Sequence, residues 1–259
     1  MDQVLGRFDA TVIRRYMEEA GIFTALEEKG FAGFDVLVDS AGYALPHALL
    51  FGDKGGARFL LLDACVGEAT VRRDFFLRRD YAIERPIELA VVHWVREEDP
   101  TAAFAADRPA LPLQHHPGLG VLRRAFRVIA RLAAEAGKDG VVSVPKFFHD
   151  AVIFYRSRLF LFLCGTEQGR FEAMIRDLRR LALREASLAL AAGCVHDAAG
   201  AVVGWAPTYQ VFPLSALATA YFHSPQYAEQ VAASLNQCRF TCDAAALAGV
   251  VEMLKAAPR

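Results

Sequence analysis

The chain has 259 residues, of which 54% are hydrophobic and 23% are charged, a composition typical of a globular protein long enough to bury a core. Its net charge of −1 does not favour nucleic acid as a partner. No uncharged apolar run reaches the roughly 18 residues of a membrane span, and the N-terminal residues lack the apolar core of a signal peptide. The five cysteines are scattered and odd in number, which indicates reduced thiols and a cytoplasmic location.

Apolar periodicity predicts a helix followed by an antiparallel meander in the N-terminal part. Residues 10–29 carry an apolar stripe at helical spacing and are followed by Gly30. Strand-like runs separated by glycine-containing turns follow at residues 34–38, 48–51 and 58–66. Residues 87–95, IELAVVHWV, are nearly all apolar and indicate a fourth strand that is covered on both faces.

Two polar side chains on this fourth strand are candidate catalytic bases. Strict alternation places Glu88 on one face and His93 on the other, so both can serve one site only if a β-bulge intervenes. The apolar surroundings would raise the pKa of Glu88 toward the range of a general base, whereas an ion pair with Arg85 is the alternative. His93 is either an alternative base or a hydrogen-bonded core histidine.

Helices and strands alternate in the middle of the chain. Residues 96–114 form a long loop, whose three prolines and acidic run at 97–99 favour a functional or mobile segment. The acidic run is either solvated or selects a cationic acceptor. After the loop we expect a helix at 119–136, a strand at 140–144, a helix at 147–157 and a strand at 159–163.

The C-terminal part is predicted to be mostly helical. One long helix is expected over residues 167–192, with a hairpin-like segment at 194–205 after it. Further helices are predicted near residues 214–222, 225–237 and 243–256. We therefore expect one domain over residues 1–165 and a helical extension over 166–259 that packs on it. An exposed apolar face on the long helix would favour a homodimer.

The stretch QHHPGLGVLRR, residues 114–124, connects the long loop to a helix. Its segment Gly118-Leu119-Gly120 would expose backbone N–H groups at the positive end of the helix dipole, which favours a phosphate or pyrophosphate. Arg123 and Arg124 add positive charge nearby. The alternative is an ordinary glycine-rich start of a solvated helix.

No metal centre is predicted from the sequence. His115 and His116 are adjacent, and adjacent side chains of an extended chain diverge, so a metal hydrolase built on them is a third and weaker hypothesis. Cys238 and Cys242 have the spacing of one helical turn but lack a second ligand pair at zinc spacing. The sequence contains neither a nucleophile-elbow motif nor a Walker A motif.

A second motif is FFHDAVIFYRSRLFLFL at residues 147–163, in which a short helix ending in Phe154-Tyr155 precedes an apolar strand. With it, the order strand, glycine-containing loop, helix, strand, helix and strand resembles the acetyl-CoA-binding half of the GNAT N-acyltransferase superfamily. The helix and meander before it are similar to that superfamily's N-terminal half. The resemblance spans about residues 5–165, leaves 166–259 unexplained, and implies an α/β fold with a mixed, partly antiparallel sheet flanked by helices. The mostly helical C-terminal extension is expected from the apolar periodicity alone.

The resemblance also implies roles for particular residues. A cofactor pyrophosphate would be bound by His115, Gly118, Leu119, Gly120, Val121, Arg123 and Arg124. Tyr155 would protonate the leaving thiolate, and Glu88, or His93 as the alternative, would be the general base. The chain departs from the family pattern where His115 replaces Gln or Arg, where Pro117 removes an amide, and where His149-Asp150 replaces Asn.

The implied activity is the transfer of an acyl group from acyl-CoA, such as acetyl-CoA, or from another pantetheine thioester to an amine of a small molecule or peptide. The pantetheine arm would lie between strands 87–95 and 140–144, where the two strands splay. The departures from the family pattern leave an alternative open, a non-catalytic module on a degenerate GNAT-like fold that binds a ligand or partner.

Overall fold

The computed structural model describes residues 2–41, 44–105, 110, 114–157 and 160–256. It confirms a mixed α/β fold with a mostly antiparallel sheet, flanking helices and helices at the C-terminus. The chain divides into two compact units. The first unit comprises Met1–Ser143 and Phe212–Thr219, and the second comprises Val144–Val211 and Ala220–Arg259.

The first unit begins with two helices instead of the single helix predicted over residues 10–29. They are α1 (Ala10–Glu19) and α2 (Ile22–Glu27). The interruption falls at Gly21, whose φ of 72° lies in the left-handed region that glycine adopts without strain. The Asp9 carboxylate accepts a hydrogen bond from the Val12 amide at 3.0 Å and thereby caps α1.

The predicted antiparallel meander is confirmed. Its strands are β1 (Ala32–Asp39), β2 (His47–Lys54), β3 (Ala57–Val71) and β4 (Ile87–Glu97), each paired with the next. A helix of five residues that the sequence did not predict, α3 (Arg73–Leu77), connects β3 to β4. Strand β4 pairs with β3 from Ile87, opposite Val71, to Glu97, opposite Leu62, so both strands are longer than predicted.

The fourth strand has a parallel neighbour on its other side. Strand β5 (Gly140–Ser143) pairs with β4 from Leu89 to Val92. Beyond Val92, β4 continues to Glu97 with no paired residue of β5 opposite it. The structure therefore ends the parallel pairing in the middle of β4.

A β-bulge lies at His93. Val66 of β3 is opposite Val92, while the preceding Cys65 is opposite Trp94, so His93 is the extra residue. Strict alternation predicts Trp94 on the same face as Glu88. The bulge instead places Trp94 on the opposite face. A Cβ atom on Gly67 would lie 2.7 Å from His93 Nε2, so the imidazole packs directly over this glycine. His93 and Glu88 thus remain on opposite faces of the strand.

Helix α4 (Leu122–Glu135) follows the loop and leads into β5. It begins at Leu122 and not at 119, because residues 118–121 belong to the loop. Phe126, Ile129 and Ala133 recur at helical spacing and are buried, so one side of α4 packs into the core of the first unit.

The second unit contains α5 (Phe148–Arg156), β6 (Leu161–Phe162), α6 (Gly165–Asp177) and α7 (Leu183–Ala191). The prediction of one helix over residues 167–192 is wrong. Residues 178–182 separate α6 from α7, and the Glu185 carboxylate accepts a hydrogen bond from the Ala182 amide at 2.9 Å where α7 starts. The apolar spacing stays in phase across this break, which hides it from periodicity.

The division between the units falls after Ser143 and not near the expected residue 165. Side chains of α5, α6 and α7, including Phe148, Phe171 and Leu190, belong to one buried cluster. Helix α5 and strand β6 therefore share a core with the helices that follow them. On α6, Phe171 and Met174 are buried, so this part of the predicted long helix has no exposed apolar face that would favour a homodimer.

The remaining elements are β7 (Val195–Asp197), β8 (Gln210–Pro213), α8 (Ala216–Phe222), α9 (Pro225–Gln237), β9 (Phe240–Cys242) and α10 (Ala244–Ala256). Strand β7 pairs with β9. The hairpin-like segment predicted over 194–205 is confirmed as a short hairpin, in which His196 bridges Val202, the Val203 amide donates to the Val195 carbonyl at 2.8 Å and the Asp197 amide donates to the Ala201 carbonyl at 2.9 Å. Residues of β8 pair with β6 in the second unit. Within the described part of the chain, no helix combines the length and hydropathy needed to cross a membrane.

Candidate functional site

The loop before α4 meets a carboxylate from the end of β4. The amide of Val121 donates a hydrogen bond to Glu97 Oε2 at 3.4 Å, and the amides of Leu119 and Gly120 also stabilise the ionised side chain. These groups lie at the positive end of the α4 dipole, where an anion is favoured. The loop that the sequence predicts to receive a phosphate therefore binds a carboxyl group of its own chain.

Glycine allows the loop to approach this carboxylate closely. A Cβ atom on Gly118 would lie 2.9 Å from Glu97 Oε1, which is too close for a normal contact. Gly120 has a φ of 73°, in the left-handed region that other residues rarely adopt. Leu119 and Val121 are buried and anchor the loop in the core. The loop geometry thus depends on alternating glycine and buried apolar residues.

The protonation of Glu97 changes near neutral pH. Burial raises the pKa of Glu97 to about 7, against the opposing effects of the Val121, Leu119 and Gly120 amides and of the Lys29 charge. At pH 7 the loop therefore holds a mixture of the neutral and the ionised side chain.

The preceding loop residues differ in their exposure and contacts. His115 is exposed and His116 is half-buried. The Pro117 carbonyl accepts a hydrogen bond from the Asp99 amide at 2.8 Å, which ties the loop to the residues after β4. Residues 106–109 and 111–113 of the long predicted loop lie outside the described residues. Among the residues that are described, no group of three or more His, Cys, Asp or Glu side chains could hold a metal ion.

The two arginines that follow the loop take different positions. Arg123 is exposed, whereas Arg124 is half-buried. The Arg124 Nε atom lies 3.8 Å from the position of a Cβ on Gly21, so this side chain reaches the turn between α1 and α2.

Glu88 is half-buried and its carboxylate accepts hydrogen bonds from Thr70 Oγ1 at 2.9 and 3.0 Å. The ion pair considered for Arg85 is made with Asp139, at 2.7 and 2.8 Å. Asp139 also accepts the Glu88 amide at 2.9 Å, which fixes the start of β4 next to β5. The carboxylate of Glu88, the candidate base, is therefore bonded to a neutral hydroxyl on β3. Glu88 itself lies on the predicted strand and on the face opposite His93, as alternation predicts.

Tyr155 lies in the second unit, whereas Glu88, His93 and the loop lie in the first. Its hydroxyl donates to Glu172 Oε1 at 3.0 Å, and Gln168 Nε2 donates to the same oxygen at 2.7 Å. Burial, together with Glu172, raises the pKa of Tyr155 to about 12. A thiol with a pKa of about 8.5 is the stronger acid, so full proton transfer from Tyr155 to a thiolate would be uphill. A hydrogen bond to the developing charge is the chemically easier role.

His149 and Asp150, which replace the family's asparagine, serve the packing of α5. His149 Nδ1 lies 2.8 Å from Ser187 Oγ on α7, and Nε2 lies 3.3 Å from Asp150 Oδ1. Both His149 and Ser187 are buried, and burial lowers the pKa of His149. The Asp150 carboxylate also accepts the Phe147 amide at 3.2 Å at the start of the helix. These contacts connect two helices of the second unit.

Glu97 is the functional candidate that sequence reasoning missed. The sequence placed it in a loop, as part of an acidic run. One signal was available, because the strand-like run can be extended through Val95 to Glu97, but the sequence did not show that Glu97 lies opposite Leu62 of β3.

No family model, curated protein or solved structure matches this chain. The geometry of the two units is therefore the basis for a functional assignment.

Proposed function

We propose that the chain is an acyltransferase that moves an acyl group from acyl-CoA, or another pantetheine thioester, to an amine of a small molecule or peptide. The observation that carries the proposal is that the amides of Leu119, Gly120 and Val121 converge on one carboxylate at the start of α4. Backbone groups that stabilise a carboxylate at a helix N-terminus are also suited to a cofactor phosphate.

The end of the β4–β5 pairing supports the same proposal. From His93 to Glu97, β4 has no paired β5 residue on one side. Backbone N–H and C=O groups need hydrogen-bond partners, and the two amides of an extended pantetheine arm can supply them. This segment leads along β4 to Glu97 and hence to the loop.

An amine that attacks a thioester must lose a proton, and Glu88 and His93 are the candidate acceptors in the first unit. Glu88 carries a carboxylate on β4, and His93 carries an exposed imidazole at the bulge. They lie on opposite faces, so only one of them can be the base. The role of Tyr155 remains a prediction from the family resemblance.

A second function has a specific observation in its favour. The loop is already filled by Glu97, and Pro117 supplies no amide. Both fit a binding module that has lost catalysis, in which the loop is closed by its own side chain.

Calorimetric titration of the full chain with coenzyme A and acetyl-CoA separates the two functions. If the chain is the enzyme, coenzyme A and acetyl-CoA should both bind. Acetyl-CoA should then release free thiol when a panel of amines is added. If neither compound gives heat and neither shifts the melting temperature, the acyltransferase proposal falls and the binding module is favoured.

Substitutions then identify the base. Removal of a general base lowers kcat about 100-fold or more, so we expect this loss in either Glu88→Gln or His93→Gln. Glu84→Gln is the control for the first, because Glu84 is exposed and precedes the strand. If the Tyr155 hydroxyl only donates a hydrogen bond to the developing charge, Tyr155→Phe should lower kcat about 100- to 1,000-fold, with the exposed Tyr209→Phe as its control. Full activity in both base variants would reject these roles.

A further inference from the structure

We propose that Glu97 is an internal competitor for the loop of residues 118–121, so that an external anion binds there only after the Glu97 side chain has left. The inference rests on the proposed function, since the competing anion would be a phosphate of the acyl-CoA. It adds a regulatory contact that neither the loop motif nor the resemblance contains.

The geometry makes the two occupants mutually exclusive. Glu97 Oε2 accepts a hydrogen bond from the Val121 amide. Glu97 Oε1 lies 2.9 Å from the position that a Cβ on Gly118 would have. The carboxylate is therefore in contact with both ends of this short loop. A phosphate oxygen bound to the same amides would overlap it.

The charged surroundings of Glu97 come from several segments. Lys29, which follows α2, lowers its pKa and is the cation that acts on it. Asp99 is buried and its carboxylate is engaged by the amide and hydroxyl of Thr101, at 3.0 and 2.7 Å. Other titratable or charged side chains on the adjoining segments include Asp63, which lies opposite Arg96, Lys54, which donates to Thr101 Oγ1 at 2.9 Å, and Glu98, His115, His116, Arg123 and Arg124.

The sign of the pH dependence follows from the two environments of the carboxyl group. Within the loop its pKa is about 7, and in water a glutamate has a pKa of about 4.3. At a pH between these two values, the Glu97 side chain is neutral in the loop and ionised in water. Its departure from the loop therefore releases one proton to the buffer. Departure therefore becomes easier as the pH rises to about 7 and changes little above it.

Sulfate tests this coupling because it mimics a phosphate and does not titrate in this range. Its affinity for the ¹⁵N-labelled full chain is measured from the amide shifts of Gly120 and Val121. For the wild type we expect the affinity to rise on the order of 50-fold between pH 5 and pH 8, with proton release over the same range. A constant affinity, or one that falls with pH, would overturn the inference.

Three variants complete the test. Glu97→Ala empties the loop, so sulfate should bind tightly and independently of pH. Glu97→Gln retains a neutral oxygen that accepts from the amides, so binding should be weaker than in the alanine variant and also independent of pH. Glu98→Ala removes the same charge one residue away and should follow the wild type. If Glu98→Ala also abolishes the pH dependence, a general charge effect replaces our proposal.

Coenzyme A separates this inference from the proposed function. If sulfate shows the expected pattern but coenzyme A does not bind to Glu97→Ala, the proposal that Glu97 is a competitor is confirmed and the proposal of an acyltransferase is rejected. If coenzyme A binds equally to the wild type and to Glu97→Ala at pH 5, the competitor is rejected and the cofactor site is upheld. If neither ligand binds to Glu97→Ala, both proposals fall.

Discussion

Asp139 is a buried charge whose hydrogen-bonding capacity is used within the first unit. Burial opposes its ionisation, but the Arg85 guanidinium and the Glu88 amide prevail and lower the pKa of Asp139 to about 2. Its main chain is also engaged, because its amide donates to the Glu88 carbonyl at 2.6 Å. One side chain therefore fixes the start of β4 next to β5.

Asp139→Ala should lower the free energy of unfolding at pH 7 by about 2–3 kcal/mol, because hydrogen bonds to a charged group are lost and a buried amide is left without its partner. Arg85 is 54% exposed and stays hydrated, which limits the loss. Urea denaturation measures the change. The control is Asp74→Ala, whose 3.2 Å pair with Arg78 is exposed and should contribute less than about 0.5 kcal/mol. Equal effects of the two variants would contradict this account.

Glycine allows close packing of two helices in the second unit. A Cβ on Gly169 of α6 would lie 2.2 Å from the Val231 carbonyl oxygen of α9, and one on Gly165 would lie 2.9 Å from the Tyr227 carbonyl oxygen. The helix backbones therefore approach too closely for any larger residue at these positions. The sequence predicted α9 at its observed bounds but gave no sign of this contact.

Gly169→Ala should destabilise the protein by about 1–3 kcal/mol, because the helices must separate to admit the methyl group. This loss exceeds the gain of about 1 kcal/mol that alanine brings to a helix interior. Gly249→Ala in α10 is the matched control, since a Cβ there meets nothing within 4 Å, and it should be neutral or stabilising. Melting temperatures compare the two, and a neutral Gly169→Ala would show that α6 and α9 can readjust without cost.

At the scale of the molecule, Glu97 and Asp139 make stability depend on pH in opposite directions. Since the pKa of Glu97 is raised to about 7 on folding, its contribution is fully present below pH 4.3 and is lost as the pH rises to about 7. Since the pKa of Asp139 is lowered to about 2, its contribution is present above about pH 4 and is lost in stronger acid.

Glu97→Gln should therefore be more stable than the wild type at pH 8 and should lack the decline between about pH 4.5 and 7. The neutral amide oxygen still accepts from the loop, so packing is retained while the cost of a buried charge is removed. Urea denaturation at a series of pH values measures this difference. Parallel pH profiles of the two proteins would show that Glu97 does not titrate in this range.

Local patterns made the fold class and the meander predictable. Alternation and helical spacing are properties of neighbouring residues, and they located β1 to β4, α4 and α9. The position of Glu97 depends instead on the register of β4 against β3, which the bulge at His93 shifts, and the division after Ser143 depends on which helices share a core. Neither is encoded in a local period, so the acidic run was placed in a loop and the boundary near residue 165.

The first unit closes with a segment from far along the chain, because the amides of Leu214 and Ser215 donate to the Asp139 carbonyl at 2.8 and 3.0 Å. During synthesis, the ribosome releases the N-terminal residues long before this segment emerges. The meander can form early from local contacts, but the surroundings of Asp139 must wait until residues 212–219 have been translated. A fragment that stops at Ser143 would therefore leave the Asp139 carbonyl without these two donors, and the first unit stays incomplete until the later segment has been translated.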